Sequence, residues 1–107
     1  MESLLVAFGN DYVPNALMAE AAHGTAPALQ GKDVANPMAM ILAAAALLSH
    51  AEQEACQTAG RAIREACLEA VAEGIRTADL SGHHGTRAFT DEVIRRTTTK
   101  LDVWAAL

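Results

Sequence analysis

Aromatic residues are scarce in this chain: two Phe, one Tyr and one Trp in 107 positions. A surface that stacks nucleobases needs more rings than that, and a basic footprint for a phosphate backbone is missing as well, because Asp and Glu outnumber Lys and Arg 13 to 8. Nucleic acid is therefore not an expected partner. Cysteine is nearly absent. Cys56 and Cys67 fall on one expected helix about three turns and ~16 Å apart, too far for a mutual disulfide. They read as small core residues of a reduced compartment, and with no base or helix N-terminus beside them they are not candidate nucleophiles. Long apolar runs are missing too. The most apolar stretch, Pro37 to Leu48, is too short and too alanine-rich to cross a bilayer, and no charged segment leads into an apolar one at the N-terminus. A soluble, cytoplasmic chain with no membrane partner is expected.

What the chain does have is a run punctuated by Gly and Pro that opens into a helix. Glu20-Ala21-Ala22-His23-Gly24-Thr25-Ala26-Pro27 is followed by Ala28-Leu29-Gln30-Gly31-Lys32-Asp33-Val34-Ala35-Asn36-Pro37 and then by apolar residues. Asn36 is the expected N-cap and Pro37 the first helical position. Small residues in such a junction let backbone amides come close to a ligand. Taken alone, His23 is a polar turn residue, and Lys32 and Asp33 are solvent-exposed turn residues. The glycines at 24 and 31, with Lys32 next, have six residues between them where a phosphate-binding loop needs four, and Asp33 stands where that loop has Ser or Thr. A nucleoside triphosphate site is not supported.

Before this loop, Leu4, Leu5, Val6 and Phe8 suit a short buried strand or a helical turn, and residues 9–15 read as a loop. After it, the helix from Pro37 to about Ser49 is apolar on every side, which calls for cover all round. The next, about Ala51 to Glu73, is amphipathic. Cys56, Ala59, Ile63, Ala66, Cys67, Ala70 and Val71 form its inner stripe, while Glu54, Gln57, Arg61, Arg64, Glu65 and Glu69 face water. Gly60 should weaken its middle by about 1 kcal/mol, and Gly74 should close it as the C′ residue. A third helix is expected from an N-cap at Thr86 past Ile94, with Arg95, Arg96 and Lys100 near its end to suit the dipole and Thr97 to Thr99 fraying it. The pattern leaves the 101–107 tail undetermined. His50 reads as a dipole partner at a helix C-terminus. Adjacent His83 and His84, with no Cys or carboxylate at ligand spacing, read as turn residues, and no metal ligand is assigned.

The residues from Glu20 to Pro27, the Gly31-Lys32-Asp33-Val34-Ala35-Asn36-Pro37 run and the small-residue helix resemble the cofactor loop of the isocitrate/isopropylmalate dehydrogenase family, the β-decarboxylating dehydrogenases. A second block is similar to the family's closing segment: Gly74-Ile75-Arg76-Thr77-Ala78-Asp79-Leu80, then Gly85-Thr86 and Phe89-Thr90-Asp91-Glu92-Val93-Ile94. The resemblance covers Glu20 to about Ile94. It implies a strand at Ala16–Ala21, although alanine is a poor strand former. It also implies that the chain is the C-terminal part of a large α/β domain. The expected fold is mainly α, with three principal helices and a short strand or small sheet near the N-terminus. Residues 1–107 then form one partial domain: a lead-in at 1–15, the strand and cofactor loop at 16–36, and a helical part at 37–107.

The resemblance implies oxidation of a 2-hydroxy acid by a nicotinamide cofactor with Mg or Mn, followed by loss of the β-carboxylate. It places His23 along the adenosine part of the cofactor and wraps Gly24, Thr25, Ala26 and Pro27 around it. Asn36 would hydrogen-bond the adenine and Glu20 would lie near the nicotinamide-side ribose. Ala28 and Leu29 occupy the positions that select between cofactors. NAD-using members carry an acidic residue there and NADP-using members a Lys-Tyr pair, while the later NADP contacts align near Ala78 and Gly82. With no cation at any of these positions to meet a phosphate dianion, NAD is expected over NADP. The family's metal, proton-transfer and substrate-binding groups lie before this region, so no catalytic residue is assigned and the chain alone is expected to be inactive. Glu20-Ala21-Ala22 ahead of His23 leans toward isocitrate as the acid. The expected partners are the nicotinamide dinucleotide and the N-terminal remainder of the enzyme. The alternative is a non-enzymatic helical module that self-associates through its apolar helix.

Overall fold

A computed structural model describes residues 2–8 and 14–107. Two strands, β1 (Glu2–Phe8) and β2 (Pro14–Ala21), are followed by three helices, α1 (Met38–Ser49), α2 (Glu54–Ala72) and α3 (Thr86–Ala105), with single 3-10 turns at Pro27–Leu29 and Ala78–Leu80. The chain is thus mainly helical, with three principal helices and a two-stranded antiparallel sheet at its N-terminal end. Of the loop expected at 9–15, residues 9–13 lie outside the described residues, and Pro14 already opens β2.

In β2 the alternation of cover is that of a half-buried strand. Leu17, Ala19 and Ala21 are partly covered by α1, while Ala16, Met18 and Glu20 point outward. The register pairs Leu4 with Ala19 and Val6 with Leu17 on the covered face, and Leu5 with Met18 on the open one. The buried character expected of the first strand is not found: Leu4, Leu5 and Val6 are all exposed, Leu5 to 51 %. One helix cannot cover the width of a hairpin.

The core lies where the three helices meet. Met38 and Leu42 from α1, Ala66, Cys67 and Ala70 from α2, and Phe89 and Val93 from α3 are buried together, with Ile41, Val71, Ile75 and Leu80 packed around them. Alanine on α2 lets the helix axes approach, and Gly60 takes this furthest. A Cβ there would lie 2.7 Å from the Ala45 carbonyl oxygen and from the Ser49 hydroxyl, so the glycine serves the α1–α2 crossing rather than weakening the helix. The cover expected all round α1 is only partial, because Met40 (58 % exposed) and Leu47 lie on a face that no described element reaches.

The helix ends follow local chemistry. After α2, Gly74 (φ 92°) donates its N–H to Val71 O and Ile75 donates to Ala70 O, the paired bonds of a Schellman cap, and Arg76 Nε donates to Val71 O at 2.7 Å. The α3 start differs from expectation by one residue: Gly85 is the N-cap and Thr86 is already helical. Nor do the threonines fray the helix. Thr97 and Thr99 donate their hydroxyls to the carbonyls four residues back, and the helix runs on to Ala105. Arg96 and Lys100 therefore sit mid-helix and not at a dipole end. Arg96 pairs with Glu73 and Glu92, and Lys100 with Glu69 at 2.6 Å, so Glu69 and Glu73, at the helix surface, face cations of α3. Near the C-terminus the Arg61 guanidinium lies 4.7 Å above the Trp104 ring.

Candidate functional site

The loop between β2 and α1 is anchored at both ends. Ala26 adopts a left-handed conformation (φ 44°, ψ 62°), which costs a non-glycine residue about 1–2 kcal/mol. It sets up the 3-10 turn in which Leu29 donates to Ala26 O at 2.9 Å. At the far end Asp33, also left-handed, reaches the start of α3. Its carbonyl accepts from Thr86 N–H at 3.1 Å and its Oδ1 from Arg87 N–H at 2.9 Å. Asp33 is exposed, but it is not a free turn residue: it caps α3 across 54 positions of sequence. Thr86 Oγ1 donates to Ala35 O at 2.5 Å. A Cβ on Gly85 would fall 2.7 Å from Asp33 O, so glycine permits this junction.

Asn36 is the second anchor. Its Oδ1 accepts from Met38 N–H at 2.9 Å, a capping bond, although the helix starts one residue later than expected: Pro37 (φ −85°, ψ 0°) is the N-cap, its carbonyl accepting from Ile41 N–H, and Met38 is the first helical residue. Asn36 Nδ2 donates to Asp79 Oδ2 at 3.1 Å. The orientation of this amide is unambiguous, because a backbone N–H only donates and an ionised carboxylate only accepts. Asp79 Oδ1 in turn accepts from Thr77 Oγ1 at 2.5 Å, and Thr77 is 1 % exposed. The Thr77 hydroxyl, then the Asn36 amide and the local backbone N–H groups, hold the Asp79 carboxyl below its usual range.

The residues that the sequence singles out divide between two depressions. His23 and Asn36 come together with Ala22, Ala39 and Asp79 around a cleft of about 280 Å³. Thr25, Ala26, Pro27 and Leu29 line a wider, open depression of about 800 Å³ on the α3 side, with Asp33, Thr86 and Arg87 among its walls. Gly24 and Ala28 lie exposed on the loop and line neither depression. Glu20 is not brought to either depression; it points outward from β2 with Met18. His23 Nδ1 donates to Gly24 O at 2.7 Å, which fixes the ring against its own loop backbone. Sequence reasoning misses Asp79 and Thr77 as site residues. Their signal is the Thr-x-Asp spacing at the mouth of a 3-10 turn, a local side-chain motif that does not show which distant loop it meets.

His84 N–H donates to Arg76 O at 3.0 Å, which holds the His83-His84 turn on the Arg76 backbone. Among the described residues no group of three or more His, Cys, Asp and Glu is placed to hold a metal ion. Among them, too, no helix is long and apolar enough to cross a membrane.

Comparison of the sequence with known proteins identifies the class to which this chain belongs. The isocitrate/isopropylmalate dehydrogenase family profile matches residues 6–94. The chain is 44 % identical over 80 residues to 3-isopropylmalate dehydrogenase of Anaeromyxobacter dehalogenans, covering 72 % of this chain and 21 % of that protein. It is 43 % identical over 76 residues to isocitrate/homoisocitrate dehydrogenase of Thermus thermophilus, covering 70 % and 22 %. Over 86 residues it is 38 % identical to a mitochondrial regulatory subunit of isocitrate dehydrogenase (NAD) from Dictyostelium discoideum, covering 78 % and 23 %. No solved structure matches. The chain belongs to the isocitrate/isopropylmalate dehydrogenase family, a family of oxidoreductases, and spans about a fifth of the length of these relatives.

Proposed function

We propose that this chain is the cofactor-contacting C-terminal segment of an NAD-dependent, metal-dependent oxidative decarboxylase acting on a 2-hydroxy acid in the cytoplasm. The observation that carries this reading is the convergence of His23 and Asn36 on one cleft at the end of the matched loop. The cleft has the size of a base rather than of a whole dinucleotide. His23 flanks it, and the Asn36 amide offers a donor. The exposed run from Gly24 to Leu29 leaves backbone groups open to the rest of the cofactor. When bound, the cofactor accepts a hydride; the residues of this chain bind and orient its adenosine end. The described residues do not fit a divalent metal, and no step of the reaction is assigned to them. The metal, the acid-binding groups and the proton-transfer groups belong to the remainder of the enzyme, and this chain alone is inactive. Isocitrate is favoured as the acid over 3-isopropylmalate by the Glu20-Ala21-Ala22 lead-in.

NAD is favoured over NADP. Ala28 and Leu29 carry no charge, and at Gly82 a Cβ would fall onto the Arg76 carbonyl, so that position has no room for a cation while the turn keeps its shape. The name of the Dictyostelium relative points the same way. Isotope-edited NMR titration of the chain with each cofactor tests the reading: NAD should move the signals of His23, Asn36 and residues 24–28 at lower concentration than NADP does. Tighter binding of NADP, or shifts confined to other residues, would overturn it.

The exposed Met40 and Leu47 on α1, and Leu5 and Met18 on the hairpin, support a covering partner, which we take to be the N-terminal remainder of the enzyme. The same faces favour the second reading, a helical module that self-associates. Indifference to either cofactor together with a defined oligomer would select it.

A further inference from the structure

We infer that Asp79 is a positioning residue of the His23–Asn36 cleft: it fixes the Asn36 carboxamide in one orientation, so that the second N–H of that amide is presented to an acceptor atom on the ligand's base. The inference rests on the cofactor reading above for the identity of the ligand, but not for the contact itself.

The geometry is a relay of three side chains on two segments far apart in sequence. Thr77, almost wholly buried, donates to one Asp79 oxygen at 2.5 Å. The other Asp79 oxygen accepts from Asn36 Nδ2 at 3.1 Å, across 43 positions, and the Asn36 oxygen is engaged by Met38 N–H at 2.9 Å. Each member removes a freedom of the next. The buried hydroxyl holds the carboxylate, whose two oxygens then face different partners. The carboxylate and the helix N-terminus together grip the amide at both ends, which rules out the flip that a surface asparagine otherwise undergoes. One N–H of Asn36 remains with no partner among the described residues, and Asn36 and Asp79 both line the cleft. A donor held in place at the wall of a cleft of base size suits the ring nitrogen of a purine. Pre-orientation also lowers the side-chain ordering cost that binding would otherwise carry. The lowered Asp79 pKa keeps the carboxylate an acceptor throughout the neutral range.

The test uses the full chain, labelled with nitrogen-15, in the parent, Asp79→Asn and Asp79→Ala forms. Two quantities are read: the separation of the two Asn36 side-chain amide proton signals, and the dissociation constant for NAD from the shift titration. In the parent the pair should be well separated. Asp79→Ala should bring it to the narrower separation of a solvent-exposed asparagine and weaken NAD roughly fivefold, about the net worth of one hydrogen bond. Asp79→Asn should keep both readouts near the parent, because its carboxamide oxygen can accept from Asn36 while its NH2 donates to Thr77. An Asn36 pair unmoved by Asp79→Ala overturns the inference, as does an Asp79→Asn chain that behaves like the alanine form. Should Asp79→Ala lose the core signals of Ala66 and Val93, Thr77→Val takes its place, and an Asn36 pair that does not respond to it is equally fatal. A parent chain with the separated pair but no NAD binding supports the Asp79–Asn36 contact and removes the cofactor reading, so the two failures are distinct.

Discussion

Gly60 and Cys67 show how far a single position is set by what faces it. Helix propensity alone favours Gly60→Ala by about 1 kcal/mol, yet the added methyl group would meet the Ala45 carbonyl and the Ser49 hydroxyl at 2.7 Å, and although the hydroxyl can rotate away, the backbone carbonyl cannot move without shifting α1. The substitution should therefore lower stability by about 1–3 kcal/mol, as overpacking does. Urea denaturation measures this, and a stabilised variant would show that α1 and α2 are not in close contact there. Cys67 is fully buried and burial pushes its thiol up to about 11, whereas Cys56 is half-buried. At pH 8 a disulfide reagent should label Cys56 in the native chain and Cys67 only after unfolding. Two rapidly reacting thiols would contradict this packing.

At the scale of elements, α3 is held by ion pairs as well as by Phe89 and Val93. Arg95 and then Arg96 bring the Glu92 carboxyl down from 4.5 to about 2, and Arg96 and Lys100 reach across to Glu73 at the C-cap of α2 and to Glu69 on it. Because the folded value of Glu92 lies below its ordinary one, its contribution is present in full above pH 4.5 and is lost as the pH falls toward about 2. The thermal midpoint of Glu92→Gln should lie below that of the parent at pH 7, with the gap closing by about pH 2. A gap independent of pH would show that Glu92 acts through packing. The α2 cap is tested separately. Gly74 sits at φ 92°, where an alanine side chain is strained, so Gly74→Ala should cost about 1–2 kcal/mol in denaturant titration.

For the whole molecule the decisive feature is apolar surface left open. Met40 and Leu47 on α1 and Leu5 and Met18 on the hairpin are exposed, more than chance scatter on a small chain whose own core is built largely of alanine. Sedimentation should show self-association, or a hydrophobic dye should bind and be displaced when the proposed N-terminal remainder of the enzyme is supplied. A monomer that binds no dye would mean that these faces are closed in solution.

What the residues determined by themselves is the set of elements whose causes are local. The capping role of Asn36 and the Gly74 close could be read from cap chemistry, and the 3.6-residue period of α2 marks it as one amphipathic helix, whereas the strand at Ala16–Ala21 followed from the family resemblance, against the poor strand propensity of alanine. Where Thr86, Asp33 and the threonines at 97–99 would act depended on tertiary structure. Thr86 has the composition of an N-cap, but its hydroxyl is drawn to Ala35 and the cap comes from Asp33, a loop residue that sequence spacing cannot bring to α3. The threonines stay helical because α2 carries the acids that hold Arg96 and Lys100 over that stretch. The cleft follows the same division. Asn36 could be read from the loop as a capping residue and His23 as a site residue only through the resemblance of its loop, whereas Asp79 lines the cleft, held by Thr77, only because α2 and the turn after it fold back, and a hydrogen bond across 43 positions depends on that packing rather than on any local propensity.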